Sequence, residues 1–248
     1  MPRTRGKRIL FRILWSLTTL VVVIITGTLI WSQVGIMPAE RDPLAQAKAN
    51  PALTVRDAPE GIVLAPAEGG SDVGLVFIPG AKVQAEGYVA PLQGLAAEDG
   101  ITVVITRPWL NLAFFDPRGL DAFTSAAPDV DSWMVGGHSL GGVRACGLAP
   151  QADALALFAS YCANDLSDSR MPVLSLSGSE DLLSTPEKIA DARHLLPADA
   201  ELVEIDGASH ASFGAYGPQA GDGTPTISDD EVRAGVTRLV GALAAALR

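Results

Sequence analysis

The sequence predicts an α/β domain, a mostly parallel sheet with helices on both faces, carried behind an N-terminal transmembrane helix. Three observations point there. From Gly61 onward, short apolar runs alternate with helical patterns, the mark of strands paired in parallel through helical crossovers. Residues 133–142 read as a buried strand, a sharp turn with Ser139 at its tip, and a helix starting behind it. Residues 13–31 contain no charged side chain.

Taken in order, residues 1–12 form a basic segment with Arg3, Arg5, Lys7, Arg8 and Arg12, and no acidic residue precedes Glu40. The next 19 positions, 13–31, rise about 28 Å as a helix, close to the thickness of a hydrocarbon core. Trp15 and Trp31 sit near its ends, where indole rings favour the interface. Basic residues on the N-terminal side hold that end in the cytoplasm. The expectation is a single-pass protein of the cell membrane with its domain on the extracytoplasmic side. A cleaved signal peptide is the competing reading, but the apolar run is long for one and Ser32-Gln33-Val34 makes a poor cleavage site. Residues 32–59, polar and punctuated by Pro38, Pro43, Pro51 and Pro59, read as a stalk with a short helix near 43–50.

The domain proper is expected over residues 60–248. Strands are read at 62–65, 74–78, 102–106, 132–136, 154–159, 173–177 and 201–205. Helices are read at 88–98, 141–148, 186–195 (with Pro186 in its first turn) and 229–247 (with Asp229, Asp230 and Glu231 in its first turn). Chemistry in such sheets gathers beyond the carboxyl ends of the strands, so the loops beginning at Pro79, Gly137, Gly178 and Asp206 matter most.

Charge excludes one class of partner. The chain carries 18 basic and 28 acidic residues, and five of the basic ones lie in the first twelve positions, leaving the rest at −15. So acidic a domain repels nucleic acid. The two cysteines, Cys146 and Cys162, fall on neighbouring elements and are read either as a disulfide, permitted outside the cytoplasm, or as two small buried thiols.

Gly137-His138-Ser139-Leu140-Gly141 fits the G-x-S-x-G nucleophile elbow. A serine hydroxyl is a weak nucleophile at neutral pH and needs a base, and the base needs an orienting acid. Asp181 follows the strand at 173–177 and His210 follows the strand at 201–205. The order Ser139, Asp181, His210, each at a strand's carboxyl end, makes these the candidate catalytic residues. Glu180 is the alternative acid if the loop register differs by one, and Asp165 an outside candidate. His194 lies mid-helix, and His138 sits where the elbow points its side chain elsewhere. Backbone N–H groups of Leu140 and of Ala81, with Lys82 as second choice, are the expected oxyanion donors. Lys82, Trp109 and Tyr161 are the expected substrate-binding residues, with Leu110 beside Trp109. Only about a dozen residues link the strands at 154–159 and 173–177, which leaves no room for a substantial lid. Asp222, Asp229 and Asp230 fit no calcium-loop spacing, so neither metal nor cofactor is expected.

On these residues the chain resembles the α/β-hydrolase superfamily, and within it the compact bacterial fold-5 subgroup related to dienelactone-hydrolase-like enzymes. The resemblance spans about residues 60–247. It is carried by 77–83, 112–116, 136–142, 159–161, 178–181 and the glycine-rich run 210–223. Ala81 departs from the pattern, standing where many relatives have glycine. The resemblance implies a Ser–Asp–His hydrolase on Ser139, Asp181 and His210 with no metal. The expected activity is hydrolysis of a small or accessible carboxylic ester through an acyl-enzyme. Transfer to an acceptor other than water, thioester or amide cleavage, and a non-catalytic envelope-binding protein are the alternatives.

Overall fold

The computed structural model describes residues 5–248, so Arg3 of the basic segment lies outside the described residues. The helices are α1 (Arg5–Gln33), α2 (Arg41–Ala49), α3 (Val89–Ala97), α4 (Asp121–Thr124), α5 (Leu140–Leu148), α6 (Pro186–Asp191) and α7 (Asp229–Ala245). The strands are β1 (Leu53–Ala58), β2 (Gly61–Pro66), β3 (Val73–Ile78), β4 (Thr102–Thr106), β5 (Ser132–His138), β6 (Ala154–Phe158), β7 (Val173–Gly178) and β8 (Glu201–Ile205).

They form one eight-stranded sheet in the order β1-β2-β4-β3-β5-β6-β7-β8. β1 and β2 run antiparallel to their neighbours, whereas β4, β3, β5, β6, β7 and β8 are parallel. The register Ile78↔Gly137, His138↔Phe158 and Gly178↔Ile205 brings the carboxyl ends of the parallel strands to one rim.

Period-2 alternation explains why both faces are covered. In β3, Leu75 and Phe77 enter one core while Val76 and Ile78 enter the other. In β5, Met134 joins the first and Trp133 and Val135 the second. The first core lies beneath α2, α3 and α7, the second beneath α5. The starts of the later helices carry local signals. Thr185 caps α6, accepting from the Lys188 N–H, and a Ser228/Glu231 capping box opens α7.

Residues 32–59 differ from the expected stalk. β1 pairs along its whole length with β2, and α2 packs on α3 and β1. Val55 and Leu53 join the core while Arg56 and Asp57 stay outside. A half-exposed edge strand of this kind has only weak apolar alternation in sequence, and its antiparallel partner supplies what the pattern lacks.

Cys146 of α5 and Cys162, four residues beyond β6, form a disulfide with Cα atoms 5.5 Å apart. It ties the helix behind Ser139 to the segment that leaves the neighbouring strand, and Asn164 Nδ2 adds a bond to the Cys146 carbonyl at 3.2 Å. Closing a loop of this length is worth about 3 kcal/mol. Reduction is therefore expected to lower the melting temperature by roughly 6–12 °C at this chain size. Thermal denaturation with and without dithiothreitol, alongside a thiol titration of the unfolded unreduced chain that finds no free thiol, checks this.

Candidate active site

The turn from β5 into α5 is set by close approach. A Cβ on Gly137 would lie 2.5 Å from the Gly141 carbonyl carbon, and one on Gly141 would lie 2.0 Å from the Ile78 oxygen. Strand, helix and the loop after β3 can meet this tightly only where side chains are absent. Ser139, between them, takes φ 52°, ψ −123°. Such a conformation costs about 1–3 kcal/mol and persists only where the surroundings enforce it. Here the Ser139 N–H donates to the Phe158 carbonyl (3.0 Å), and the Ser160 hydroxyl donates to the Ser139 carbonyl (2.7 Å).

Backbone strain is concentrated on this rim. Among the described residues the non-glycine positions with positive φ are Lys82, Leu110, Asn111, Ser139 and Ala159. All lie in the segments leaving β3, β4, β5 and β6, on the side where Ser139 sits.

His210 and Asp181 meet on the same rim. His210 Nδ1 donates to Asp181 Oδ2 at 2.8 Å, with both side chains almost completely buried. The other Asp181 oxygen accepts the N–H groups of Leu183 and Ser184, each at 2.8 Å. With Nδ1 committed as donor, the lone pair of His210 is on Nε2, which is buried and has no partner. No hydrogen bond joins it to Ser139 Oγ. Of the alternative acids, Glu180 makes no bond to His210, and Asp165 is exposed and accepts the Ser167 N–H at 2.9 Å.

Asp222 holds the backbone of His210 from the other side. Its Oδ1 accepts the N–H groups of His210 (3.1 Å) and Gly223 (2.7 Å), and its Oδ2 accepts that of Ala211 (2.8 Å). Burial pushes the Asp222 carboxyl up, but these backbone donors and the Ser209 hydroxyl outweigh it and bring the pKa below the usual range. The glycine-rich run after His210 thus carries the carboxylate that fixes where His210 begins its turn.

A second buried chain was not read from the sequence. The Gly80 N–H donates to the Tyr88 oxygen (3.0 Å), Tyr88 lies 2.9 Å from His138 Nδ1, and His138 Nε2 lies 3.0 Å from the His210 carbonyl. Its directions follow from its ends. An N–H only donates and a carbonyl only accepts, so His138 carries its proton on Nε2 and Tyr88 donates to Nδ1. The chain joins the loop after β3 to the backbone of His210, and the two imidazole centroids lie 4.5 Å apart with the rings tilted by 49°. Burial foremost, then the His210 imidazole, hold the His138 pKa well below 6.5, and burial raises that of Tyr88.

The loop after β3 has spent most of its donors. Gly80 N–H goes to Tyr88, Lys82 N–H to the Asn111 carbonyl (2.8 Å) and Val83 N–H to the Gly80 carbonyl (3.3 Å). The Ala81 N–H is left free, as is that of Leu140 at the first position of α5. The Lys82 ammonium donates to the carbonyls of Trp31 (3.0 Å) and Val34 (3.1 Å) and lies 3.8 Å from the Trp31 ring centroid. It caps α1 rather than standing as a free cation at the mouth of the site. Trp109 and Tyr161 are exposed on the rim rather than packed in the core, and residues 159–172 form neither helix nor strand.

A model of the alpha/beta hydrolase family matches residues 74–234. Solved structures of similar fold include the esterase domain of a Rhodothermus marinus protein (17% identity, 73% of this chain and 90% of that one, TM-score 0.53). Others are an alpha-beta serine hydrolase homologue from Coxiella burnetii (14%, 77% and 95%, 0.51) and Est1E from Butyrivibrio proteoclasticus (16%, 78% and 99%, 0.54). No curated protein matches the chain.

The buried His138 gives a pH signature. It is neutral in the fold but takes a proton near pH 6.5 when unfolded. The unfolded state therefore binds more protons below that pH, and stability present at neutral pH is lost as the pH falls. The melting temperature is expected to decline below pH 6.5, and His138→Asn to flatten that decline by up to one proton's worth of slope. Melting curves from pH 8 to 5 check this, and an unchanged slope in the variant would contradict it. Tyr88→Phe, which strands the Gly80 N–H and His138 Nδ1, is expected to cost about 1–3 kcal/mol in a denaturant titration.

Proposed function

Because the chain belongs to the alpha/beta hydrolase family, we propose that it is a membrane-anchored serine hydrolase that cleaves a carboxylic ester. The observation that carries this is the pairing of a buried Asp181–His210 hydrogen bond with a free Nε2 lone pair, on the rim that holds Ser139 in its strained turn.

In this reading His210 Nε2 takes the Ser139 proton as Oγ attacks the ester carbonyl. Nucleophile–base contacts are often long in the unliganded state and tighten with substrate. The developing oxyanion is met by the N–H groups of Leu140 and Ala81, the donors left free at the two edges of the turn. Asp181 stabilises the imidazolium, fixed by its two further backbone bonds. His210 then gives the proton to the leaving alkoxide, and water, activated by the same imidazole, releases the acyl group as a carboxylic acid. A site with no lid between β6 and β7 admits that water, which favours hydrolysis over transfer to another acceptor. The esterase domain and serine hydrolase homologue of similar fold agree with this chemistry.

The anchor rests on α1. Its 28 residues Gly6–Gln33 have the length and apolar composition of a membrane span. Arg8 and Arg12 at its start favour a cytoplasmic position for that end, and the Cys146–Cys162 disulfide suits a domain in an oxidising compartment. Lys82, bound to the end of α1, is not retained as a substrate-binding residue. Trp109 and Tyr161, at the rim, are.

A fluorophosphonate probe is expected to label the protein, and Ser139→Ala to abolish both labelling and hydrolysis of a short-chain activated ester. Asp181→Asn is expected to keep the fold but lower kcat by about 10⁴, the scale for losing the orienting acid of such a triad. Absence of labelling together with absence of activity on any activated ester would overturn the proposal.

A further inference from the structure

The joint between α1 and the domain is tied by several hydrogen bonds and lies beside the site. Of the helix, Ser32 is buried and Thr28 half-buried, one turn apart on one face, and every other residue from 6 to 33 is exposed, Trp31 included although its ring and carbonyl meet Lys82. The final carbonyls are held by the rim. Lys82 Nζ takes those of Trp31 and Val34, and Asn111 Nδ2 takes that of Ser32 at 3.3 Å. Immediately afterwards Met37 bonds both neighbours of Val83, donating to the Lys82 carbonyl (2.7 Å) and accepting from the Gln84 N–H (3.0 Å). The helix end is therefore fixed one residue from Ala81, and the helix projects away from the rim instead of lying along the domain.

Outside α1 and Val34, the large exposed apolar side chains of the described residues gather on the same rim, Leu202 excepted. Beyond α1 and Val34, the large hydrophobic residues that stand exposed are Trp109, Phe114, Phe115, Tyr161, Leu182 and Leu202. Five of these six lie past the carboxyl ends of β4, β6 and β7, around Ser139, and Leu202 alone lies on the edge strand β8. Phe114 and Leu182 are each 63% exposed. Large apolar side chains gathered on one rim mark an interaction surface, and aromatic rings bordering a membrane span are those that settle at headgroup level. With the uncharged run 13–31 in the hydrocarbon, Ser32 lies at the headgroups, and the Asn111 turn bonded to it lies there too.

We infer that this rim docks on the lipid surface, and that the ester it cleaves is an acyl ester of an amphiphile resident in that leaflet. The inference rests on the anchored serine hydrolase proposed above. Trp109, Phe114, Phe115 and Leu182 enter the interface, and the acyl ester rises to Ser139 without crossing bulk water. The chemistry is unchanged. The ester C–O bond breaks, the headgroup fragment leaves as an alcohol carrying the His210 proton, and water releases the free fatty acid. The attraction is apolar, because a domain of net −15 beyond residue 12 gains nothing from an anionic surface.

Two measurements on the full chain in phosphatidylcholine vesicles test it. With Trp15→Phe and Trp31→Phe, the remaining indoles are Trp109 and the buried Trp133. Lipids brominated high on the acyl chain should quench Trp109, and vesicles should shield it from acrylamide. Emission untouched by bromolipid and fully open to acrylamide would overturn the docking. In the second measurement, Phe114→Gln/Phe115→Gln/Leu182→Gln should lose at least tenfold on a long-chain fluorogenic ester held in the vesicle. It should stay within twofold on a short-chain ester in water. Equal losses on both esters, or a wild-type chain that cleaves only the soluble one, would overturn the substrate class. Failure of the underlying hydrolase reading shows separately, as a Ser139 that no fluorophosphonate labels while the quenching result stands on its own.

Discussion

The tight meeting of three backbones at Gly137 and Gly141 governs the rest of the site. The end of β3, the end of β5 and the first turn of α5 come together where a single methyl group would collide with main-chain atoms. That contact forces Ser139 out of ordinary backbone space, and it presses the loop carrying Ala81 against the start of the helix. The turn at Ser139 and both free N–H groups are thus consequences of one packing constraint, and they share whatever displacement it suffers. Side-chain choice elsewhere on the rim adjusts the site, but this contact creates it.

His210 is held differently, from a longer distance and by polar groups. Asp181 sets its ring, Asp222 its backbone N–H, and His138 its carbonyl. Three separate segments thereby converge on one residue, each using a bond that a buried group would otherwise lack. Tyr88 carries the last of these contacts back to Gly80, so the loop after β3 and His210 are coupled through a satisfied interior chain. Fully bonded interior chains of this kind favour a single arrangement, because any partial break leaves an orphaned donor or acceptor.

Much of this frame was legible in the sequence. β4 and β8 fall at the expected positions because β-branched and apolar runs are bounded by clear punctuation, and the order Ser139, Asp181, His210 at strand ends is a linear property of the chain. β1 was not legible. Half its side chains face solvent, and Arg56 and Asp57 break its pattern. The role of Lys82 was hidden for another reason, since its partners are carbonyls about fifty residues earlier. His138 looked idle because the elbow directs it away from Ser139, and only the folded chain shows Tyr88 and His210 waiting on its two nitrogens. Asp222 stood out as a carboxylate among glycines. Its spacing from Asp229 and Asp230 drew attention to metal chemistry, while its actual partners are the N–H groups beside it. The pairing of Cys146 with Cys162 was left open by sequence, because separation along the chain does not fix the angle between a helix and the strand after it.

The fixed joint between α1 and the rim changes how the domain can explore its surroundings. A flexible tether of the twenty-eight positions 32–59 would sweep a radius of roughly 30 Å and let the rim face any direction. Here that stretch is spent on α2, β1 and the bonds around Met37, and the domain inherits the orientation of its helix. In the anchored protein proposed above, encounters are governed by lateral diffusion and rotation about the helix axis, a search in two dimensions instead of three.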